Sequence, residues 1–251
     1  MKTIALYNLK GGVGKTASSV NLAHLASLAG YRTLIWDLDP QGASSFYFRI
    51  KPKIRGGRKA LLGGKNDLES HIRGTDFEGL DLVPADFSYR KMDVDLGGLK
   101  KPAKRLARLL EPLADDYDLV FLDCPPSFST TSESVFEAAL ALLMPMIPTT
   151  LSMRTLEQVR GHLARKGPAS LPVWPFFCMV DRRKTMHRQT LEAAASLEGS
   201  EGYFEASIPY SSDIERMGLD RNPVTVFAPS GAGARAYLAL WSQLESRLRT
   251  L

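Results

Sequence analysis

The sequence has few cysteines and no long hydrophobic run. Its 251 residues include two cysteines, Cys124 and Cys178, whose separation fits no metal-site spacing, and a secreted disulfide scaffold would normally carry more. Both cysteines lie in apolar runs typical of strands, so we expect buried free thiols. No apolar stretch reaches the roughly 20 residues that a membrane span requires. We therefore expect neither a disulfide scaffold nor a membrane-spanning protein.

Two further features are missing from the chain. No secretory signal is visible at the N-terminus, because MKTIALYNLKGG runs directly into a glycine-rich stretch, and no Pro/Gly/Ser linker separates two halves. The composition, 44% hydrophobic and 24% charged, is ordinary for a globular protein with one sizeable core. We predict a cytoplasmic protein with a single domain over residues 1–251. The net charge of +5 is compatible with nucleic acid or anionic lipid and proves neither.

Short apolar runs alternate with helical patterns along the chain. The predicted strands are Thr3–Tyr7, Thr33–Asp37, Leu80–Val83, Leu119–Asp123, Met144–Pro148, Val173–Val180 and Phe204–Ile208. The predicted helices are Lys15–Ala29, Lys100–Leu113, Thr131–Leu142, Thr185–Leu197 and Gly231–Leu248. Apolar strands followed by helices indicate an α/β fold with a doubly wound, mainly parallel sheet and helices on both faces. Binding sites in such sheets lie beyond the carboxyl ends of the strands.

One segment has an unusual composition. From Arg49 to Lys65 the chain carries several basic residues, four glycines and no acidic residue. The segment is either a solvated loop or a loop that contacts phosphates, and its composition does not separate the two.

The run GGVGKT, Gly11 to Thr16, follows a predicted strand and opens a predicted helix, as a phosphate-binding P-loop requires. Backbone N–H groups of such a turn converge on anionic oxygens, and the helix N-terminus adds its positive end. Lys15 can reach the β- and γ-phosphates, and the Thr16 hydroxyl is placed to ligate Mg²⁺. The sequence therefore predicts a nucleotide site at this loop.

The loop departs from the usual pattern G-x-x-x-x-G-K-[ST]. Its first glycine would stand at position 9, where the chain has Leu9, and Lys10 lies inside the loop. The run KGGVGKTASSVNLAHLASLAGYRTLIWDLDPQG instead resembles the deviant Walker A ATPases, with the signature KGGxGK[ST]. Within that group it is similar to the ParA partition ATPases, whose run is close to KGGVGKTT…NLA…LA…G…VLLIDLDPQG. Weaker resemblance continues through nearly the whole chain.

The resemblance implies a role for Lys10. In the ParA family two subunits close face to face over two ATP molecules, and the front lysine reaches the phosphates bound by the other subunit. Lys10 would then stabilise charge that develops during phosphoryl transfer; the alternative is a solvent-facing lysine. Lys10, Lys15 and Asp39 are the implied catalytic residues. The implied phosphate-binding residues are Lys10, Gly11, Gly12, Val13, Gly14, Lys15, Thr16 and Ala17.

Three carboxylates stand at the ends of predicted strands: Asp37 and Asp39 in WDLDPQG, and Asp123 in LVFLDCPPS. Any one alone could be a helix cap or a turn residue, but three beside a P-loop favour a phosphoryl-transfer site. By resemblance, Asp39 orients or activates the attacking water, Asp37 lies near the magnesium shell, and Asp123 is a Walker-B-like aspartate. We expect Thr16, Asp37 and Asp123 to hold Mg²⁺, and hydrolysis to be slow until a partner completes the site.

Two later runs resemble the family's base pocket. FFCMVDRRKT is similar to the family run TMYDxRT, with Cys178 and Val180 as departures, and implies that Met179 and Asp181 line the adenine region. ASIPYSSDIERMG is similar to IPRNVRLSEA, which places Pro209 near the adenine ring.

ParA proteins bind DNA without sequence preference through basic residues of the dimer. Here Tyr210 and Asp213 stand where the family usually has arginine, so the implied set differs. The candidate DNA contacts are Arg182, Arg183, Lys184, His187, Arg188, Arg216, Arg221 and Arg235, with Lys51 to Lys65 as a possible addition. Phosphate contacts of this kind give salt-sensitive binding without base reading, and the alternative is a solvated charged face. No helix-turn-helix precedes the P-loop, so the resemblance is to the short ParA form.

Three other functions share parts of this pattern. A MinD-like membrane-associated ATPase would need a lipid-binding last helix, and AYLALWSQLESRLRTL has the apolar spacing for one. An iron–sulfur ATPase would need cluster cysteines from two subunits, which Cys124 and Cys178 are badly placed to supply. A nucleotide-gated adaptor that does not hydrolyse ATP would not need Asp39.

The resemblance therefore implies a ParA-like ATPase that uses ATP and Mg²⁺, dimerises with ATP and binds nonspecific DNA. A ParB-like or cargo-adaptor protein would stimulate hydrolysis and release the DNA. Repeated cycles would position a plasmid, a chromosome or a protein assembly such as carboxysomes or chemotaxis clusters on the nucleoid. No membrane partner is expected, and the sequence does not identify the cargo.

Overall fold

A computed structural model describes residues 1–63, 68–168, 171–196 and 202–251. Its sheet has seven strands in the order β3-β4-β2-β5-β1-β6-β7, all parallel except the short edge strand β3. The strands are β1 Lys2–Leu6, β2 Thr33–Asp37, β3 Arg73–Gly74, β4 Leu80–Val83, β5 Leu119–Asp123, β6 Ala141–Met146 and β7 Val173–Phe177. This is the predicted α/β architecture of a doubly wound, mainly parallel sheet.

Helices cover both faces of the sheet. They are α1 Lys15–Leu28, α2 Ala43–Tyr47, α3 Gly57–Leu62, α4 Met92–Gly97, α5 Arg105–Leu110, α6 Thr130–Ala138, α7 Thr150–Lys166, α8 Thr185–Ser196, α9 Ser212–Asp220, α10 Val224–Phe227 and α11 Ala232–Arg249. Buried side chains of α3 to α8 pack on one face, and those of α1 and α9 to α11 pack on the other. The central strands are buried on both faces, which is why they read as continuous apolar runs.

The strand after α6 begins earlier than the sequence predicts. Helix α6 ends at Ala138, and β6 already begins at Ala141, whereas the predicted helix ran to Leu142 and the predicted strand began at Met144. The Leu140 N–H donates to the Thr3 carbonyl at 2.7 Å, so pairing with β1 ends the helix. The apolar residues after Ala138 fit either pattern, and the neighbouring strand decides between them.

Helix α7, Thr150–Lys166, has no counterpart in the sequence prediction. Thr149 caps it by accepting a hydrogen bond from the Ser152 N–H. Its buried face mixes Ser152 and Thr155 with Leu156 and Val159, and these small polar residues hide the helical period.

Two other predicted elements are absent or divided in the structure. The segment Phe204–Ile208 is not a strand: among the described residues, single-residue bridges flank it at Tyr203 and between Val180 and Pro209, and no ladder runs through it. The predicted helix Lys100–Leu113 is divided into a 3₁₀ turn at Pro102–Lys104, helix α5 and a 3₁₀ turn at Glu111–Leu113, each turn starting at or beside a proline. The end of the predicted helix Thr185–Leu197 and residue Lys65 lie outside the described residues.

The last helix, α11, has its apolar face inside the protein. Tyr237, Leu240, Trp241 and Leu244 are all at most 6% exposed, and α11 packs against α1. Among the described helices, none combines the length and the apolar character needed to cross a bilayer.

Candidate functional site

The glycine-rich loop joins β1 to α1 at the carboxyl edge of the sheet. Gly12 and Gly14 have φ values of 70° and 95°, in the left-handed region that glycine adopts without strain. Gly14 is the N-cap of α1, and within the described residues no side chain caps that end. The loop therefore presents backbone N–H groups and the positive end of a 14-residue helix to an anion.

Asn8 holds the front of this loop, a role that sequence analysis missed. Its side chain is fully buried, its Nδ2 donates to the Pro145 carbonyl at 2.7 Å, and its Oδ1 accepts from the Lys10 N–H at 2.9 Å. The loop entrance is thus tied to the end of β6. The sequence signal for this role is that Asn8, a polar residue, directly follows an apolar run predicted to be a buried strand.

The two lysines of the loop lie in different environments. Lys15 is 7% exposed, and its Nζ donates to the Lys10 carbonyl at 2.9 Å. Burial lowers the pKa of Lys15, while the carboxylates of Asp123 and Asp39 oppose that shift. Lys10 is half-buried, and its amine makes no hydrogen bond or ion pair with the described residues. Lys15 therefore faces the loop interior, and the Lys10 amine is available to a ligand or a second subunit.

Two of the three predicted carboxylates meet beneath the loop. Asp37 and Asp123 are directly opposite in the β2–β5 register, and both are at most 1% exposed. Ser45 donates to Asp37 Oδ2 from its N–H at 2.8 Å and from its hydroxyl at 2.7 Å, and the Ser44 hydroxyl donates to Asp123 Oδ2 at 2.8 Å. Each carboxylate keeps a buried Oδ1 without a hydrogen-bond partner among the described residues.

These unpartnered oxygens fit a magnesium ion. Burial and the neighbouring carboxylate raise the pKa of Asp37, and burial raises the pKa of Asp123, so the pair favours a proton or a cation between them. Thr16 is close enough to Asp123 to lower that pKa. Among the described residues no cluster of three or more His, Cys, Asp or Glu could hold a metal alone. Mg²⁺ typically binds through one or two carboxylates together with substrate phosphates, and Asp37 and Asp123 supply two carboxylates here.

Asp39 is placed differently from the other two carboxylates. It is half-buried in the turn that joins β2 to α2, where its Oδ1 accepts from the Gln41 N–H and its carbonyl accepts from the Gly42 N–H, both at 2.9 Å. Its Oδ2 makes no hydrogen bond to the described residues, so the turn role leaves one carboxylate oxygen available.

A small cavity beside the P-loop contains most of the predicted base-pocket residues. It is lined by Gly14, Ala17, Met179 and Pro209, together with residues of α9 and α11. Asp181 is not among the described lining residues; its carboxylate binds the Arg183 guanidinium at 2.9 and 3.0 Å, and this pairing lowers the pKa of Asp181 to about 2. The cavity therefore brings together Met179 and Pro209 of the predicted adenine region, but it does not include Asp181.

Comparison with known proteins agrees with this geometry. A family model described as an AAA domain matches residues 1–165. The chromosome partitioning protein ParA of Caulobacter vibrioides is 30% identical over 99% of this chain and 96% of its own. This chain belongs to the ParA family of ATPases.

Two solved structures show the same fold as this ParA-family ATPase. A putative plasmid partition protein from Borrelia burgdorferi bound to AMPPNP has a TM-score of 0.84 at 22% identity, covering 100% of this chain and 99% of its own. Cobyrinic acid a,c-diamide synthase from Mycobacterium smegmatis, with bound ADP and magnesium, has a TM-score of 0.81 at 25% identity. The match covers 99% of this chain and 96% of the synthase chain. The protein is an ATPase, as the sequence predicts.

The candidate DNA contacts of this ParA-family ATPase lie on several separate elements of the structure. Arg182, Lys184 and Arg188 are exposed at the start of α8, and Arg188 donates to the Arg182 carbonyl at 2.9 Å. Arg183 is also exposed but paired with Asp181. His187 is 5% exposed, and its Nδ1 accepts the Asp181 N–H, so it does not face DNA.

The other three candidate cations lie elsewhere. Arg216 on α9 pairs with Asp213 and Asp220 at 4.0 and 3.4 Å. Arg221 stacks 4.5 Å over the Phe46 ring and donates to the Phe46 carbonyl at 3.0 Å, and Arg235 donates to the Ser230 carbonyl. The start of α8 therefore groups three exposed candidate cations, Arg182, Lys184 and Arg188, that form no ion pair with the described residues.

The basic segment from Arg49 is only partly a solvated loop. It contains α3, whose Leu61 and Leu62 are buried in the core, and Arg58 pairs with Asp95 at 2.6 Å. Arg49 pairs with Asp76. Part of its positive charge is thus neutralised within the protein.

Substitution of Ser45 should show how α2 positions the magnesium site. Ser45→Ala removes the hydroxyl that donates to Asp37 and accepts the Ala85 N–H at 3.0 Å. Because such supporting contacts typically alter metal affinity about 10- to 100-fold, we expect the Mg²⁺ concentration for half-maximal ATP turnover to rise about tenfold. A magnesium titration of turnover measures this, with Ser27→Ala on α1 as control. If Ser45→Ala is less stable but its turnover depends on magnesium as in the wild type, Ser45 contributes to packing and does not position the magnesium site.

Proposed function

We propose that this ParA-family ATPase closes into a homodimer around two ATP molecules, binds nonspecific DNA in that state and positions a cargo on the nucleoid. Residues 1–251 act as one ATPase domain, and a partner protein on the cargo stimulates hydrolysis, which reopens the dimer and releases DNA. The functional unit is cytoplasmic and nucleoid-associated.

The observation that carries this proposal is the arrangement of Lys10. Its backbone is bound on both sides, by Asn8 through the N–H and by Lys15 through the carbonyl, while its amine has no partner among the described residues. Because the Lys10 backbone is fixed and its ammonium is available, Lys10 is well placed to bind phosphates outside its own loop. Lys15 already serves the loop's own nucleotide from the interior.

Hydrolysis in this scheme uses the residues at the strand ends. The P-loop and Lys15 bind the triphosphate, Asp37, Asp123 and Thr16 hold Mg²⁺, and Asp39 orients the attacking water with its available oxygen. Bound at these residues, magnesium would neutralise negative charge on the phosphates. Asp39 lies on a turn, so a partner that moves this turn would change the rate.

The DNA contacts are assigned to exposed cations that need no base recognition. Arg182, Lys184 and Arg188 lie on the same edge of the sheet as the nucleotide site, because α8 begins just after β7. In a closed dimer two such groups would be present, which makes binding depend on nucleotide and on salt.

The membrane-associated alternative is less well supported. It requires an amphipathic helix with a free apolar face, and the apolar face of α11 is packed against α1. The partition relatives favour a chromosome or plasmid as cargo. Tyr210 and Asp213 stand where the family usually has arginine, and this departure is also compatible with a protein assembly as cargo. The partner encoded beside this gene, a ParB-like DNA binder or a cargo adaptor, would separate these cargoes.

Lys10→Ala tests the dimer directly. With a nonhydrolysable ATP analogue and Mg²⁺, light scattering should give a dimer mass for the wild type and a monomer mass for Lys10→Ala, while both bind the analogue. Lys166→Ala, an exposed lysine at the end of α7, is the matched control and should dimerise normally. A wild-type protein that stays monomeric, or a Lys10→Ala protein that dimerises as well, would contradict the proposal.

A further inference from the structure

The helical turns from Phe87 to Gly97 expose an apolar and cationic face. Phe87 is 66% exposed and Val94 is 74% exposed, although both are large apolar residues. Arg90 lies between them in sequence, with its guanidinium 4.1 Å above the Phe87 ring. The opposite face, with Tyr89, Met92 and Leu96, is buried in the core. Folding therefore accounts for one face of these turns and leaves the other without a partner.

Positive charge continues along the chain from this face. Arg90, Lys91, Lys100, Lys101 and Lys104 form no ion pair with the described residues, and all five are exposed. Pro102–Lys104, α4 and α5 all pack on α6, so the cations belong to elements that share a neighbouring helix with the exposed turns.

The acidic residues nearby are engaged in internal contacts. Asp95 pairs with Arg58 at 2.6 Å, and Asp93 Oδ1 accepts from the Thr131 N–H at 2.8 Å and from the Thr131 hydroxyl at 2.6 Å. Asp95 is neutralised by Arg58, whereas Asp93 and Asp86 are bonded to neutral donors and keep their charges. The exposed surface made by Phe87, Val94 and the five cations, here called the α4 surface, therefore carries a net positive charge around apolar side chains.

The α4 surface is connected to the catalytic edge. Thr131 lies in the first turn of α6, which follows the loop that leaves β5 at Asp123. The same loop is held by the Tyr7 hydroxyl, which donates to the Ser127 carbonyl at 2.8 Å. A ligand that shifts α4 would therefore pull on the element that follows Asp123.

We propose that the α4 surface docks an acidic, amphipathic segment of a partner protein. Apolar residues of the segment cover Phe87 and Val94, and its carboxylates pair with the surrounding cations. A protein segment is favoured over a DNA backbone because phosphates would leave the two apolar side chains uncovered. The inference adds a protein-binding surface to the proposed function and does not depend on it.

The probe is a synthetic amphipathic peptide with leucines on one helical face and glutamates beside them, measured by fluorescence anisotropy without nucleotide or DNA. The variant Lys100→Glu/Lys101→Glu/Lys104→Glu should bind the peptide about tenfold more weakly. It loses three surface ion pairs with the peptide glutamates and replaces them with like charges. Phe87→Ser should weaken it about fivefold through lost apolar contact. The same peptide with glutamine for glutamate should bind poorly.

The matched control is Arg154→Glu/Arg165→Glu/Lys166→Glu, which makes the same charge change on exposed residues of α7 and should keep wild-type binding. Equal loss in this control, or equal binding of the glutamine peptide, would overturn the proposal. Loss of affinity for duplex DNA or for anionic vesicles in the α4-surface variants, without loss for the peptide, would also overturn it. Since the assay needs neither dimer nor ATP, failure of the homodimer leaves its result unaffected.

Discussion

Lys15→Gln should lower kcat/KM for ATP by about 10²- to 10³-fold, the usual loss when one preorganised charge is removed from a transition state. The Lys15 ammonium is 7% exposed inside the P-loop and close to the Asp123 carboxylate, so no solvent cation can replace it at low dielectric. Steady-state phosphate release at saturating Mg²⁺ measures the effect.

Stability should not fall with this change. Burial lowers the pKa of Lys15, which means that the folded protein holds this charge at a cost. Thermal unfolding of Lys15→Gln should therefore occur at the wild-type temperature or above it. Lys166→Gln, exposed on α7, is the control for loss of a lysine charge alone. Turnover within threefold of wild type, about 0.7 kcal/mol in the barrier, would remove Lys15 from the proposed site.

Nucleotide-dependent DNA binding should be steeply salt-sensitive. If Arg182, Lys184 and Arg188 of both subunits contact phosphates, about six counterions are released, and affinity should fall about 10³-fold between 50 and 200 mM salt. Arg182→Glu/Lys184→Glu/Arg188→Glu should lose most of this binding and most of its salt dependence. Retention of a random-sequence duplex with ATP and Mg²⁺ provides the measurement.

The charge control for DNA is again the α7 triple variant, which has the same net charge as the α8 variant and should retain DNA. Reversal of Lys100, Lys101 and Lys104 should leave DNA retention near wild type, which keeps the α4 surface separate from the DNA contacts. If the α7 variant loses DNA as fully as the α8 variant, net charge alone governs retention. DNA retention by Lys15→Gln without nucleotide would contradict an ATP switch.

The parts of the site that the sequence predicts well are contiguous. Gly11 to Thr16 encode a strand exit, two glycines with positive φ and a helix start within one short run, so their geometry is local. The parallel sheet was predictable for the same reason, since buried strands read as apolar runs. Helix α7 was missed because Ser152 and Thr155 interrupt its apolar period while being buried by tertiary contacts.

The contacts that support the site could not be derived in this way. Ser44 and Asp123 are 79 residues apart, and Asn8 and Pro145 are 137 residues apart, so only the strand order brings them together. The same holds for His187, whose basic side chain suggested a DNA contact until its burial against the Asp181 N–H was known.

By itself the sequence determined that this protein has a phosphate loop, three acidic strand ends and a parallel sheet, because short-range backbone geometry and burial are written in adjacent residues. Only the tertiary structure decided which carboxylates share a buried site, which serines hold them and which cations remain unpaired. Those outcomes depend on strand register and packing between distant segments, and no local pattern encodes them.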